Sequence, residues 1–237
     1  MWSNVISIGK EYDREIQYVL EKLQCIKDVS YAVEESDERI WIYLASACEC
    51  QDEVERKIYD VLEVVFLSFL KLRYFMERLP MQTLNHAKCA LLCSIIHFDR
   101  DFEGNIIAKT LSDSLDYNVD GLYNFRLRTL KEAWGEVADV AARLLEGGSS
   151  DADVYDIASF IAGSDGGKNQ LCVERNRLKN LTERRFVEIV KLFDAEEYNI
   201  LNAIIKEKPN EIVIQNNCFS TPMNSILRHI ARVIEKT

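Results

Sequence analysis

The N-terminal stretch changes its hydrophobic period twice. NVISIG (residues 4–9) is short, rich in β-branched residues and stopped by Gly9, which reads as a strand. In EYDREIQYVLEKLQCI, residues Ile16, Val19, Leu20, Leu23 and Ile26 recur at spacings of three and four, the stripe of an amphipathic helix. VSYAVEESDERIWIYLAS then holds two strand-like runs around Glu35-Ser36-Asp37-Glu38. In the second run Ile40, Ile42 and Leu44 alternate with Trp41 and Tyr43. Both sets are apolar, so the pattern predicts a sheet covered on both faces. Residues 1–50 are expected to form a small β-α-β-β module.

From residue 51 to 163 the spacing is helical. One long helix runs from Asp52 toward Pro80, since proline disfavours helix at the residue before it. Thr83 or Asn85 caps the next helix, and another starts after Gly104. Asn118, Asp120 and Gly121 mark a turn, the helix carrying Trp134 stops at Gly147-Gly148, and SSDADVYDIASFIAG forms a short capped helix. SDGGKN (164–169) is the clearest loop. Residues 169–237 alternate again: NQLCVER as a strand, TERRFVEIVKLF and AEEYNILNAIIKE as helices, NEIVIQNN as a strand, TPMNSILRHIARVIEK as a last helix. Ser220 or Thr221 is its natural N-cap, with Pro222 at the first helical position. The expectation is an α+β fold with an N-terminal α/β module, a helical region at 51–163 and a C-terminal α/β region at 169–237, in one compact unit or two lobes.

Composition narrows the class. Of 237 residues, 48% are hydrophobic and only 3 are Pro and 9 Gly, which supports a real core and argues against disorder or long linkers. The net charge of -10 repels phosphate backbones, so nucleic acid would need a local basic patch and a protein partner is the first expectation. Seven cysteines, an odd number, behind an opening (MWSNVISIGKEYD) without a secretory pattern imply a reducing compartment, the cytoplasm. The most apolar stretch, residues 58–76, carries Asp60, Glu63, Lys71 and Arg73 and reads as a buried helix, not a membrane span.

Several motifs approach a chemical function and stop short. HAKCALLCSIIH places His86, Cys89, Cys93 and His97 on one helix face, all metal-ligating types. The two histidines lie about 16 Å apart along a helix, so one ion could reach at most an adjacent pair such as Cys89 and Cys93 or Cys93 and His97. Free cysteines among Ala90, Leu92 and Ile96 also read as core. DRDFEGNIIAKT aligns Asp99, Asp101 and Glu103 with calcium-loop positions, but Thr110 replaces the bidentate Glu, which favours an interhelical turn capped by Asp99 or Asp101. GSDGGK has P-loop glycines and a lysine with the flanking elements reversed, and Cys48-Glu-Cys50 is not a C-x-x-C. No complete catalytic motif is present, and no cofactor is expected. Two basic stretches remain, Arg126-Arg128-Lys131 and Arg175, Arg177, Lys179, Arg184, Arg185, the second balanced by Glu174, Glu183 and Glu188.

GLYNFRLRTLKEAWGEVADVA (121–141) resembles the conserved block of the YtxC-like family of sporulation proteins from endospore-forming Firmicutes, and EEYNILNAIIKEKPNEIVIQNN resembles that family's C-terminal helix, proline and apolar strand. LCVERNRLKNLTERRF sits where the family has a short strand pair. The likeness spans residues 117–237 and implies a sporulation setting and a cytoplasmic protein without assigned catalytic residues; the family's cysteine-containing terminus is missing from HIARVIEKT. Within the first block, Leu122, Phe125, Leu130 and Trp134 are expected core anchors, with Leu127 near that face. Asn124, Arg126 and Arg128, together with Arg184 and Arg185, are the candidate binding residues.

Overall fold

A computed structural model of the chain describes residues 2–80, 84–147, 150–163, 169–215 and 219–236. The SDGGK loop (164–168), Thr83, Gly148 and the side chain of Cys48 lie outside them. In chain order the elements are β1 (Trp2–Gly9), α1 (Asp13–Leu23), β2 (Val29–Glu35), β3 (Arg39–Ser46), α2 (Gln51–Val64), α3 (Lys71–Arg78), α4 (His86–His97), α5 (Arg100–Ser112), β4 (Tyr117–Asn118), a single turn α6 (Val119–Gly121), α7 (Arg128–Glu146), α8 (Asp151–Gly163), β5 (Asn169–Glu174), β6 (Arg177–Asn180), β7 (Arg185–Val187), α9 (Glu196–Glu207), β8 (Pro209–Gln215), α10 (Thr221–Ile230) and β9 (Arg232–Lys236). The fold is α+β, as the hydrophobic periods predict. The chain forms two compact units, one of residues Met1–Tyr74 and Asp99–Glu136, the other of Phe75–Phe98 and Val137–Thr237. Most of the excess acid belongs to the first; acid and base nearly balance in the second.

The first unit holds a four-stranded sheet in the order β2-β3-β1-β4. β3 lies antiparallel between β1 and β2, a split β-α-β arrangement, and β4 adds two parallel residues beside β1. Ile6, Ile8, Ile40, Ile42 and Leu44 share the buried face. The opposite face is not covered as expected: Tyr43 is 46% exposed and Trp41 half-buried. Their polar contacts explain why apolar character misled there. Tyr43 donates its hydroxyl hydrogen bond to Glu34, and the Arg39 guanidinium lies over the Trp41 ring.

The predicted long helix is interrupted. Val65–Leu70 form a π-helical stretch, all buried, before α3 resumes at Lys71. The extra residue advances the helical phase and turns Lys71 into the interior, where it is 1% exposed. Lys71 Nζ lies 2.8 and 2.7 Å from the two Glu103 oxygens, and Trp134 Nε1 donates to Glu103 Oε1 at 2.7 Å. The helix after Gly104 begins earlier than expected, at Arg100, with Asp101 and Glu103 in its first turn, where carboxylates suit the positive end of the helix dipole. Asp99 sits at the cap position in the left-handed region and makes no side-chain cap bond.

The second unit holds a five-stranded sheet in the order β7-β6-β5-β8-β9. β5-β8 and β8-β9 are parallel, β5-β6 and β6-β7 antiparallel. Leu171, Val173, Leu178, Ile212 and Ile214 are buried, together with the apolar residues of α4, α9 and α10. Two predicted helices differ. TERRFVEIVKLF supplies β7 and then chain without helix or strand, and the last helix stops at Ile230 so that Arg232–Lys236 pair with β8. In both places β-branched residues (Val187; Val233, Ile234) meet an open strand edge, and ladder hydrogen bonds outweigh a weak helical period.

Candidate functional site

Among the described residues, a set of exposed basic side chains with a concave surface lies around the β5-β6-β7 hairpins. Glu174 pairs with Arg177, so the β5-β6 connection is the two-residue turn Arg175-Asn176, with Arg175 at φ 51. That conformation favours glycine. The next loop, 181–184, is held by Asn180 accepting from the Glu183 amide at 3.0 Å and by Thr182 accepting from the Gln170 amide at 2.9 Å; Arg184 also has a positive φ, 56. Beyond β7 the chain runs without helix or strand, turning where the Leu192 amide donates to the Val190 carbonyl at 3.1 Å, and buried Asn199 clamps it. Asn199 Oδ1 accepts from the amides of Leu192 and Phe193 at 2.9 and 2.8 Å, and Nδ2 donates to the Phe193 carbonyl at 2.9 Å.

These turns frame three shallow clefts that all include Asn176. One of about 360 Å³ is lined by Arg177, Leu178 and Phe186, and a second of about 490 Å³ by Glu174, Arg175 and Arg177. A third of about 500 Å³ lies along Ile189, Lys191, Phe193 and Glu196. Asn176 Nδ2 donates to Glu196 at 2.8 Å, tying the turn to the start of α9. Arg177 and Arg184 are exposed and have no ion-pair partner among the described residues. Phe186, 67% exposed, lies beside Lys179, whose ammonium is 5.9 Å from the ring centre.

Arg185 has a different position. Its Nη2 donates to both oxygens of buried Glu207 at 3.0 and 2.7 Å, Asn180 Nδ2 donates to the same carboxylate at 2.9 Å, and Nε donates to Glu183. It serves as counter-ion to an internal carboxylate. The other predicted residues belong to the first unit. Leu122–Arg126 form a second π turn, closed by the Leu127 amide donating to the Leu122 carbonyl at 3.0 Å. The added residue rotates Phe125 outward to 81% exposure, against its expected place in the core, and brings Tyr123 and Leu127 inward. Asn124 and Arg126 are exposed; Asn124 accepts from Lys131 at 3.4 Å, and Arg128 pairs with Glu132 at 3.1 Å. Asn118 caps the preceding turn by accepting from the Gly121 amide at 3.0 Å. Gly121 itself is helical; a Cβ there would meet the Asn118 side chain at 2.8 Å.

No family model matches the chain, and no curated protein or solved structure matches it either.

The metal candidates are absorbed by the core. Cys89 and Cys93 are buried with sulfurs 3.8 Å apart, and burial, then the neighbouring Cys93 thiol, push the Cys89 thiol far up, so it stays protonated. His97 Nε2 lies 3.0 Å from Asn202 Oδ1. Among the described residues no three His, Cys, Asp or Glu side chains are grouped to hold a metal ion. In the calcium-like stretch, Glu103 is already held by Lys71 and Trp134.

One cluster escaped the sequence reading. His86 Nε2 lies 2.8 Å from Glu197 Oε1 and 3.1 Å from Ser220 Oγ, and Ser220 Oγ donates to Glu197 Oε2 at 3.0 Å. Three helix starts meet there: His86 opens α4, Glu197 is in the first turn of α9, and Ser220 caps α10, accepting from the Met223 amide at 3.4 Å. It is not a relay for nucleophilic attack, because a single imidazole nitrogen faces both partners and the carboxylate accepts from both. The carboxylate instead sits among three positive helix ends and joins them. Only Ser220, legible as an N-cap, hinted at it.

Proposed function

We propose that the chain is a non-enzymatic, cytoplasmic binding protein of a sporulation programme, and that it engages an acidic segment of a protein partner through the β5-β6-β7 end of its second unit. The observation that carries this reading is Arg177, exposed and without an ion-pair partner among the described residues, lining two clefts beside the exposed ring of Phe186. Arginine beside an aromatic ring is the composition that protein interfaces favour. Elsewhere Lys71 is occupied by Glu103 and His86 by Glu197, and at the β5-β6-β7 end itself Arg185 is occupied by Glu207. No described helix is long and apolar enough to cross a membrane. The sporulation setting rests on the resemblance of residues 117–237 alone.

The test is a chain carrying Arg177→Gln and Arg184→Gln, returned to an endospore-forming host lacking its own copy. Spore yield is expected to drop while the melting temperature of the purified variant stays at the wild-type value. Normal spore yield from the folded variant would remove the surface from the function. A second reading, a phosphate-bearing ligand such as nucleic acid, is favoured by the same side chains with Lys179 and Lys191. It predicts affinity that falls steeply with salt, and absence of binding at about 50 mM salt rejects it.

A further inference from the structure

We propose that the acidic segment crosses the open face of the five-stranded sheet, from Lys179 on β6 to Lys236 on β9, with one apolar side chain seated between them. The inference rests on the acidic-partner reading above and gives that partner a residue pattern. The connections β7-α9-β8 and β8-α10-β9 step the same way across the sheet, and right-handed crossovers put both helices on one face. That is the face of Leu171, Val173, Ile212 and Ile214, where Glu207 of α9 accepts from Asn180. Strand register sets Phe186, Lys179, Cys172, Val213 and Ile234 in one row across the opposite face, one from each strand. Lys236 stands two positions from Ile234 on the same face. Phe186, Lys179 and Lys236 are exposed, Cys172 and Ile234 half-buried, and Val213 at the centre is buried.

Charge says what fits there. Arg177, Lys179, Arg232 and Lys236 stand on this face against Glu174 and Glu211. Glu211 already accepts from Gln170 and lies 3.9 Å from Arg232. Lys179 and Lys236 have no ion-pair partner among the described residues. Burial, then Glu174, hold the Cys172 thiol up, opposed by the ammonium charges of Lys236 and Lys179, so both cations act on the middle of the row. A chain of net charge -10 thus carries a positive sheet face, which attracts an acidic partner and repels the same face of a second copy. The apolar row suits a side chain, and the single exposed ring of Phe186 offers no run of stacking platforms for bases. From β6 to β9 is three strand spacings, about 14 Å, which about four residues of extended chain cover at about 3.4 Å each. The segment therefore reads acidic-x-apolar-x-acidic, its carboxylates at Lys179 and Lys236 and its apolar residue over Cys172.

The test is methyl NMR of the full-length protein titrated with the synthetic peptide acetyl-Gly-Glu-Gly-Leu-Gly-Glu-Gly-amide. Ile234 reports on the open face, Ile212 and Ile214 on the covered one. The Ile234 methyl signal is expected to shift with a Kd of about 1 mM while the other two stay in place. The peptide with Gln for both Glu is expected to bind about fivefold more weakly, and so is the intact peptide to a Lys179→Gln, Lys236→Gln protein whose Ile212 and Ile214 signals show it folded. An Ile234 signal unmoved at about 10 mM peptide overturns the proposal. Equal affinity in the double variant overturns it too, as does a short oligothymidylate that moves Ile234 where the peptide does not. Spore loss in the Arg177→Gln, Arg184→Gln chain alongside an unmoved Ile234 signal removes the sheet face and keeps the clefts.

Discussion

Lys71→Met keeps most of the side-chain volume and removes the ammonium that faces Glu103. Burial, opposed by the Glu103 charge, already lowers the Lys71 pKa, so its ion pair is held at some cost. In the variant, Glu103 keeps the Trp134 N–H but loses both contacts of 2.7–2.8 Å in a place where it is 5% exposed. Stranding one member of a buried pair costs about 3–5 kcal/mol. At roughly 2–4 °C per kcal/mol for a chain of this size, the melting temperature falls by about 6–20 °C. Lys71→Met with Glu103→Gln leaves an amide oxygen for Trp134 and no buried charge, and is expected within about 1.5 kcal/mol of wild type. Urea unfolding followed by tryptophan fluorescence measures both. A single variant costing less than about 1 kcal/mol, or a double variant no better than the single, would refute the claim that Lys71 compensates the Glu103 charge.

Two further outcomes follow from other contacts. Burial holds the carboxyl of Glu15 above the ordinary range, against its backbone amide and Arg73 at 3.3 Å, and its Oε2 is buried without a partner among the described residues. The folded state then binds a proton more readily than the unfolded chain, so stability declines as pH rises through the ordinary value and the raised one. Glu15→Gln is expected to match wild type near pH 4 and to melt higher at pH 7; equal melting temperatures at pH 7 contradict this. Asn199→Ala removes three hydrogen bonds to Leu192 and Phe193 and is expected to cost about 2–4 kcal/mol, with faster amide exchange in residues 188–195 as the distinguishing readout.

The elements carried by a strong local period were legible in the sequence. β1, α1, the β2-β3 hairpin, α4, α9, β8 and the Ser220 cap all follow from spacing and capping chemistry. What escaped depends on a single inserted residue or on partners distant in the chain. The π turns at Val65–Leu70 and Leu122–Arg126 shift the helical phase without any residue-type signature, so Lys71 was read as a charge along a buried helix and Phe125 as core. β7 and β9 become strands because neighbours offer free edges, which no window of local sequence contains. Of the candidate site residues, Arg184 was placed from charge density alone, whereas the use of Arg185 depends on Glu207, 22 positions away. The His86-Glu197-Ser220 cluster spans 134 residues, and each member has an ordinary local reading.

The division into units has a consequence for synthesis and for engineering. Each unit is built from two separated stretches, and the chain passes from one to the other three times. No single cut yields either unit complete, so fragments expressed to isolate one activity start with half a core missing. On the ribosome α4, almost wholly buried in the finished protein, emerges well before α8, α9 and α10, which it contacts. Until those helices follow, its row of Ala87, Leu91, Leu92, Ile95 and Ile96 is bare oily surface on a nascent chain, a natural substrate for holding chaperones.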